Sequence, residues 1–247
     1  MSTPERTGLR PLVLAVVPAR GGSRGVPRKN LRLFCGRPLI THTLAVAQRT
    51  PLIDRCVVST DDAEIAAVAR AQGAEVPFLR PRNLAEDDTP DLPVFKHALV
   101  WLSEHEGYRP DVVVHLRPTS PLRRPQQIQD ALELLLAHPA ADSVRSVSSP
   151  SQNPYKMWRV VDGEIRPLVP SELTEPYNTP RQMLPAAYWQ NGYVDVAWTR
   201  TILEKDSMTG SRILPLIMND AFPVDLDSVE LFEIAEMVVR RFGIKVG

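Results

Sequence analysis

Short apolar runs alternate with helical patterns through the first half of this chain, and that alternation restricts it to one fold class. The runs are Leu12–Val17, Cys56–Ser59, Glu75–Leu79 and Val112–Leu116. The helical patterns lie at Leu39–Gln48, Asp62–Gln72, Leu92–Glu106 and Pro125–Ala137, the last with Ile128, Ala131, Leu132 and Leu135 on one face. Strands alternating with helices of this length predict right-handed crossovers and a mostly parallel sheet, an α/β fold. Ligands of such sheets bind beyond the carboxyl ends of the strands. The loops after Val17, Ser59, Leu79 and Leu116 converge there, and all four are polar or charged. At 247 residues the chain supports one large core with an appendage.

From about Asp142 the pattern changes. Ser143–Ser148, Lys156–Val161 and Ile165–Leu168 are short extended segments, and Asp162-Gly163 marks a hairpin between the last two. The proline-punctuated stretch Pro167–Pro185 has too few apolar residues to fold on itself. The excursion at about 150–186 therefore predicts a lid, or an arm ordered by a second copy of the chain. Strands at Tyr188–Trp198 and Ile213–Ile217 and an amphipathic helix from Val229 to about Arg240 close a domain spanning 11–247, behind a disordered tail over residues 1–10.

The first strand empties into Ala19-Arg20-Gly21-Gly22-Ser23-Arg24-Gly25-Val26-Pro27-Arg28-Lys29-Asn30. Glycines let backbone N–H groups approach an oxygen-rich ligand, and the basic side chains supply charge. From Arg6 to Ile53 there are nine Arg or Lys and no Asp or Glu, a field that suits a polyphosphate. Two better-known phosphate loops fail on spacing: no Gly-Lys-Ser/Thr closes a Walker pattern, and Gly21, Gly22 and Gly25 do not make a dinucleotide fingerprint. Gly21–Gly25 does match G-x-S-x-G, the nucleophile elbow of α/β hydrolases, with Ser23 as nucleophile. Pro27 interrupts the helix that should follow, and His138 is the last histidine available, so an anion cradle is the better reading.

A second feature is Val224-Asp225-Leu226-Asp227-Ser228. Carboxylates two apart in extended backbone share a side and can hold a hard cation such as Mg²⁺. Asp227 with Glu230 also resembles a capping box, and both readings stand on the residues alone. Asp61 and Asp62 read as caps of the following helix, and Glu86-Asp87-Asp88 as a solvated loop. The five histidines lack ligand spacing and read as surface or packing residues, and the four tryptophans as core or interface. Lys+Arg and Asp+Glu balance at 29 each, so bulk attraction for nucleic acid or an anionic membrane is not expected. Two isolated cysteines, Cys35 and Cys56, and the absence of a span-length apolar run point to a reduced, cytoplasmic setting.

The chain resembles the acylneuraminate cytidylyltransferase family from about Leu12 to Met237, and seven motifs fall in that family's order. They are the cradle itself, V-V-S-T-D-D at Val57–Asp62, L-R-P at Leu79–Pro81, R-P-T-S-P-L-R at Arg117–Arg123, R-Q-M-L-P at Arg181–Pro185, Q-N-G at Gln190–Gly192 and D-L-D at Asp225–Asp227. The resemblance implies a single Rossmann-like nucleotidyltransferase domain with a dimerisation arm. It also implies Mg²⁺-dependent transfer of CMP from CTP to the anomeric hydroxyl of a sialic-acid-like nonulosonic acid. Carried over by position, Arg20 and Lys29 are catalytic, and Arg20, Ser23, Arg24, Asn30 and Arg80 bind the nucleotide. Arg117, Lys156, Arg181 and Asn191 bind the acceptor, and Asp225 and Asp227 bind the metal. Two positions depart from the pattern: Arg24 replaces a usual lysine, and Arg117 a glutamine typical of sialic acid members. Arg117 only donates hydrogen bonds, which points to a sialic acid relative of the legionaminic or pseudaminic type. Other acceptors (a deoxyoctulosonic acid, a phosphonate or a sugar phosphate), a hydrolase using Ser23 and a non-catalytic nucleotide-binding module remain the alternatives.

Overall fold

The computed structural model describes residues 10–23, 25–219, 226–244 and 246. The chain order is β1 (Val13–Pro18), a small hairpin β2 (Leu33–Phe34) and β3 (Arg37–Pro38), α1 (Leu39–Gln48), β4 (Arg55–Ser59), α2 (Ala63–Ala71) and α3 (Asp91–Glu106). It continues with β5 (Val112–His115), α4 (Pro125–Ala137), β6 (Ser143–Ser148), the arm hairpin β7 (Trp158–Val161) and β8 (Glu164–Pro167), β9 (Trp189–Trp198), α5 (Thr199–Leu203), β10 (Ile213–Ile217) and α6 (Val229–Phe242). Six strands make one sheet in the order β10–β6–β9–β5–β1–β4. β1 runs parallel to β4 and β5, and β10 parallel to β6, whereas β9 is antiparallel to both β5 and β6. The mostly parallel α/β sheet expected from the alternation is present.

β1 is apolar at every position because both faces of the sheet are covered there. Val13, Ala15 and Val17 pack with α1, α2 and α4, while Leu14 and Val16 pack with Val94, Phe95, Ala98 and Leu102 of α3. A third, smaller cluster joins Val26, Phe34, Leu39, Leu122, Leu226, Phe232 and Val239. It welds the loop after β1, the loop after β5 and α6 into one wall.

The Glu75–Leu79 run, expected as a strand, makes only a bridge between Glu75 and Val57. Pro77 has no N–H to continue a ladder, and the chain turns so that Arg80 N donates to Thr60 O at 2.7 Å. In the arm, Asp162 and Gly163 hold φ of +52° and +80°, the left-handed pair that a two-residue hairpin loop requires. This arm hairpin leaves Val160 and Ile165 largely exposed. The expected tail over residues 1–10 falls outside the described residues except for Arg10, which pairs with Asp54 at 2.5 Å. No described helix is long and apolar enough to cross a membrane.

Candidate active site

Where β1 ends, Ala19 N still donates to Ser59 O at 3.0 Å, and the backbone then swings out to form the cradle. Gly21 N donates to Asp61 Oδ1 at 2.9 Å, and a Cβ on Gly21 would lie 2.7 Å from Asp62 Oδ2. Asp61 is thus not a helix cap as expected; it ties down the cradle. Asp62 caps α2, accepting from Glu64 N and Ile65 N at 2.9 Å each, and also takes the guanidinium of Arg28, whose φ is +53°. Those contacts lower the Asp62 pKa, the Arg28 hydrogen bond most of all. Buried Asn30 braces the loop from inside by donating Nδ2 to Arg20 O at 3.0 Å.

The cradle forms one wall of a cleft of about 320 Å³ at the carboxyl ends of β1 and β5. Arg20, Ser23, Lys29 and Asn30 line it from the cradle, Arg80 from the segment after Phe78, and Arg117 from the loop after β5. Six of the expected site residues therefore meet in one place. Arg80 is buried and fixed by neutral partners, with Nε on Ser59 Oγ at 3.1 Å, Nη1 on Leu84 O at 3.2 Å and Nη2 on Ser59 O. Burial lowers its pKa to about 10, so it is a desolvated cation with no carboxylate in hydrogen-bond contact among the described residues.

Among the described residues of the cradle, Arg20 and Lys29, like Arg28, have carboxylate partners from other segments. Arg20 donates to Glu86 O at 2.6 Å and pairs with Asp87 at 2.8 Å; Lys29 pairs with Asp227 at 2.6 Å. The acidic run at Glu86 is therefore not simply a solvated loop: Glu86 and Asp87 line the cleft and hold Arg20. An anionic ligand must compete with Asp87 for that guanidinium. Asp87→Asn is expected to tighten binding of pyrophosphate in metal-free buffer by about two- to fivefold, the scale of a part-exposed ion pair of up to about 1 kcal/mol. Titration calorimetry measures it, and weaker binding would instead make Asp87 a ligand contact.

The cap-or-metal question at Asp227 resolves toward availability. Ser228, not Asp227, caps α6 by accepting from Leu231 N at 3.4 Å. Asp227 keeps a largely exposed side chain beside Lys29, and its main chain touches the cradle, since a Cβ on Gly25 would fall on Asp227 O. Asp225 and Arg24 lie outside the described residues. Among the described residues no group of three His, Cys, Asp or Glu could hold a metal ion.

At the far end of the cleft Arg117 is pinned by Asp195 at 2.7 Å and Asp91 at 3.3 Å, and Asp195 also takes Arg145 Nε at 2.9 Å. His115, two residues before Arg117, is buried against Phe95 and lines the cleft. Burial, then the neighbouring arginines, hold its pKa well below the ordinary histidine value, so the imidazole is neutral. The other three expected acceptor residues do not line this cleft. Asn191 is buried and its amide is used within the sheet, by Ser146 Oγ at 2.6 Å, Ser148 Oγ at 2.8 Å and Tyr193 N at 3.1 Å. Lys156 and Arg181 sit on the arm, where they donate to Tyr177 O at 3.2 Å and Pro150 O at 2.6 Å.

The sequence assigns no site role to Asp195 or Arg123, and reads Asp87 as part of a solvated loop. A carboxylate in a loop carries no local mark of the cation it will meet, but the acid-free cradle required partners from elsewhere. The acidic run before α3 was the nearest supply.

A family model described as Cytidylyltransferase matches residues 14–160. Over 218 residues the chain is 36% identical to a CMP-N,N'-diacetyllegionaminic acid synthase of Legionella pneumophila, covering 87% of this chain and 91% of that one. Identity to a pseudaminic acid cytidylyltransferase of Campylobacter jejuni is 28%, over 92% of this chain and 96% of the relative. An N-acylneuraminate cytidylyltransferase of Escherichia coli is 29% identical over 94% of this chain and 53% of that longer protein. A solved CMP:2-keto-3-deoxy-manno-octonic acid synthetase complexed with CTP shares the fold at a TM-score of 0.70, with 17% identity over 94% of this chain and 99% of that one.

Proposed function

The chain belongs to the cytidylyltransferase family, and from that premise we propose that it transfers CMP from CTP to the anomeric hydroxyl of a sialic-acid-like nonulosonic acid. The observation that carries this reading is the single cleft that joins a basic cradle to Arg80 and Arg117. The hydroxyl gives up its proton to water in the open cleft as its oxygen bonds to the α-phosphorus. The bond from that phosphorus to the bridging oxygen breaks, and pyrophosphate leaves with the electron pair. Arg20 and Lys29 face the oxygens on which charge builds, a role worth most in a partly desolvated cleft. Ser23 and the cradle N–H groups seat the phosphates, Asn30 keeps the loop in shape, and Arg80 stands at the base end.

Mg²⁺ typically takes one or two carboxylates and keeps several waters, so it does not require a three-residue protein cage. Asp227, exposed beside Lys29 and spared from capping, fits that demand, and with Asp225 it would hold the ion. When bound, the ion supplies positive charge against the triphosphate. A reaction that draws on CTP is in keeping with a cytoplasmic setting.

The acceptor is a legionaminic- or pseudaminic-type acid. Asp195 and Asp91 balance the charge of Arg117, so it offers the ligand directed N–H donors more than net charge. Such donors favour acyl carbonyls over hydroxyls that must donate. Pyrophosphate release with CTP, Mg²⁺ and a panel of nonulosonic acids tests both statements. Diacylated acids are expected to lead in kcat/KM over sialic acid, and Arg117→Gln to narrow the gap about tenfold, the discrimination of a single hydrogen bond. No release with any sugar acid sinks the function, whereas an unchanged ranking in Arg117→Gln sinks only the role of Arg117.

The exposed apolar arm supports a homodimer, in which the arm carries Lys156 and Arg181 to the partner's cleft. Sedimentation equilibrium is expected to give twice the chain mass. A fully active monomer would overturn this.

A further inference from the structure

Arg123 is buried, and among the described residues its guanidinium makes hydrogen bonds only to uncharged oxygens. Nε donates to Tyr193 O, Nη2 to Arg117 O at 2.9 Å and Nη1 to Thr43 Oγ1 at 3.3 Å. Burying a cation without a carboxylate is costly, and here burial lowers the pKa to about 9. An aliphatic side chain would fill the same space without that cost. What a guanidinium adds is a rigid fork that binds several oxygens on different elements at once.

The sheet register shows why such a fork is needed. β5 pairs antiparallel with β9 through Val113–Ala197, Val114–Val196 and His115–Asp195. Continuing that register would bring Arg117 opposite Tyr193, but the paired residues stop at His115 and the loop departs. Two main-chain carbonyls, those of Arg117 and Tyr193, are left where the ladder ends, and buried carbonyls need donors. Arg123 serves both, and Ser120 Oγ adds a second stitch to Gly192 O at 3.2 Å. Thr43 Oγ1 also donates to Arg117 O at 3.4 Å, which ties the junction to α1.

We propose that Arg123 is the positioning residue of the acceptor side of the cleft. It holds the strand-to-loop spacing across which the Arg117–Asp195 pair forms, and so aims the Arg117 guanidinium. This rests on the acceptor reading of that end of the cleft given above. It assigns Arg123 no contact with either substrate.

The test uses Arg123→Lys, which keeps the charge and loses the fork, and Arg123→Met, which loses both. Three quantities are measured: the Kd of CTP without acceptor, the KM and kcat for the best nonulosonic acid, and amide hydrogen exchange. In both variants the acceptor KM is expected to rise at least tenfold while the Kd of CTP stays within twofold. Exchange should quicken over residues 116–121 and 190–194 and stay unchanged over the cradle at 19–30. If CTP and acceptor affinities fall together, or exchange rises evenly, Arg123 is a general core residue and the proposal is wrong. Should neither variant fold, Ser120→Ala removes the smaller stitch, and the same pattern is expected at two- to fivefold; no change overturns the proposal. If the wild-type protein transfers CMP to no sugar acid, the function fails separately, and the exchange pattern alone decides whether Arg123 holds the junction.

Discussion

Lys29→Ala is expected to lower kcat by about 10²–10³ and to leave the melting temperature within a few degrees of wild type. The rate loss is the scale of removing one donor from a site where charge develops, about 2.7–4 kcal/mol. Lys29 Nζ lies in the cleft, 2.6 Å from Asp227, and the residue belongs to none of the apolar clusters. What is lost is therefore a charge facing the triphosphate, with little packing behind it. Steady-state kinetics with CTP varied at saturating acceptor make the measurement. If KM for CTP rises while kcat holds, Lys29 binds ground and transition states equally and has no special part in the chemistry.

Gly25→Ala is expected to be nearly as damaging, by a different route. A Cβ at this position falls on the main-chain oxygen of Asp227. Both partners are backbone, so no side-chain rotation relieves the clash, and either the cradle or the segment leading into α6 must move. A displacement of about 1 Å among catalytic groups costs on the order of 10² in rate. The affected wall also holds Val26 and Leu226 in one apolar cluster, so the melting temperature should fall as well. Near-normal turnover in Gly25→Ala would mean that the approach of these two segments is not needed for catalysis.

The sheet was legible because its strands are bounded, apolar and separated by helices whose faces repeat. Leu39–Gln48, Pro125–Ala137, Ser143–Ser148 and Ile213–Ile217 form over the very spans that the pattern indicates. Glu75–Leu79 misled because its apolar content serves burial of Val76 and Phe78 around Pro77, and burial does not require a ladder. The cradle was legible in the same way, since glycine and basic residues after a strand describe one local object. Its counter-charges were not, because neither the solvated loop read at Asp87 nor the cation site or cap read at Asp227 says which cradle cation the carboxylate will meet. Neighbouring acids were equally hard to separate. Asp61 and Asp62 differ in role by which one faces Gly21 and which faces the helix N-terminus, a matter of backbone direction. Ser228 takes the cap that Asp227 could have filled, and this too turns on a single residue of phase. Asn191, polar and expected at the acceptor, is instead consumed by the serines of β6.

The pairing of Lys29 with Asp227 joins positions 198 residues apart. A ribosome adding about 5–20 residues per second delivers the second partner some 10–40 seconds after the first. Throughout that interval the nascent cradle is a basic loop without its last wall, and β1, β4 and β5 can pair before it closes. α6 and the Leu226 anchor follow the six sheet strands in the chain, so this wall of the pocket closes only after the sheet residues have been made. A polypeptide that stops short of this closing segment can carry the strands of the sheet and still lack Asp227 and the wall that Leu226 anchors.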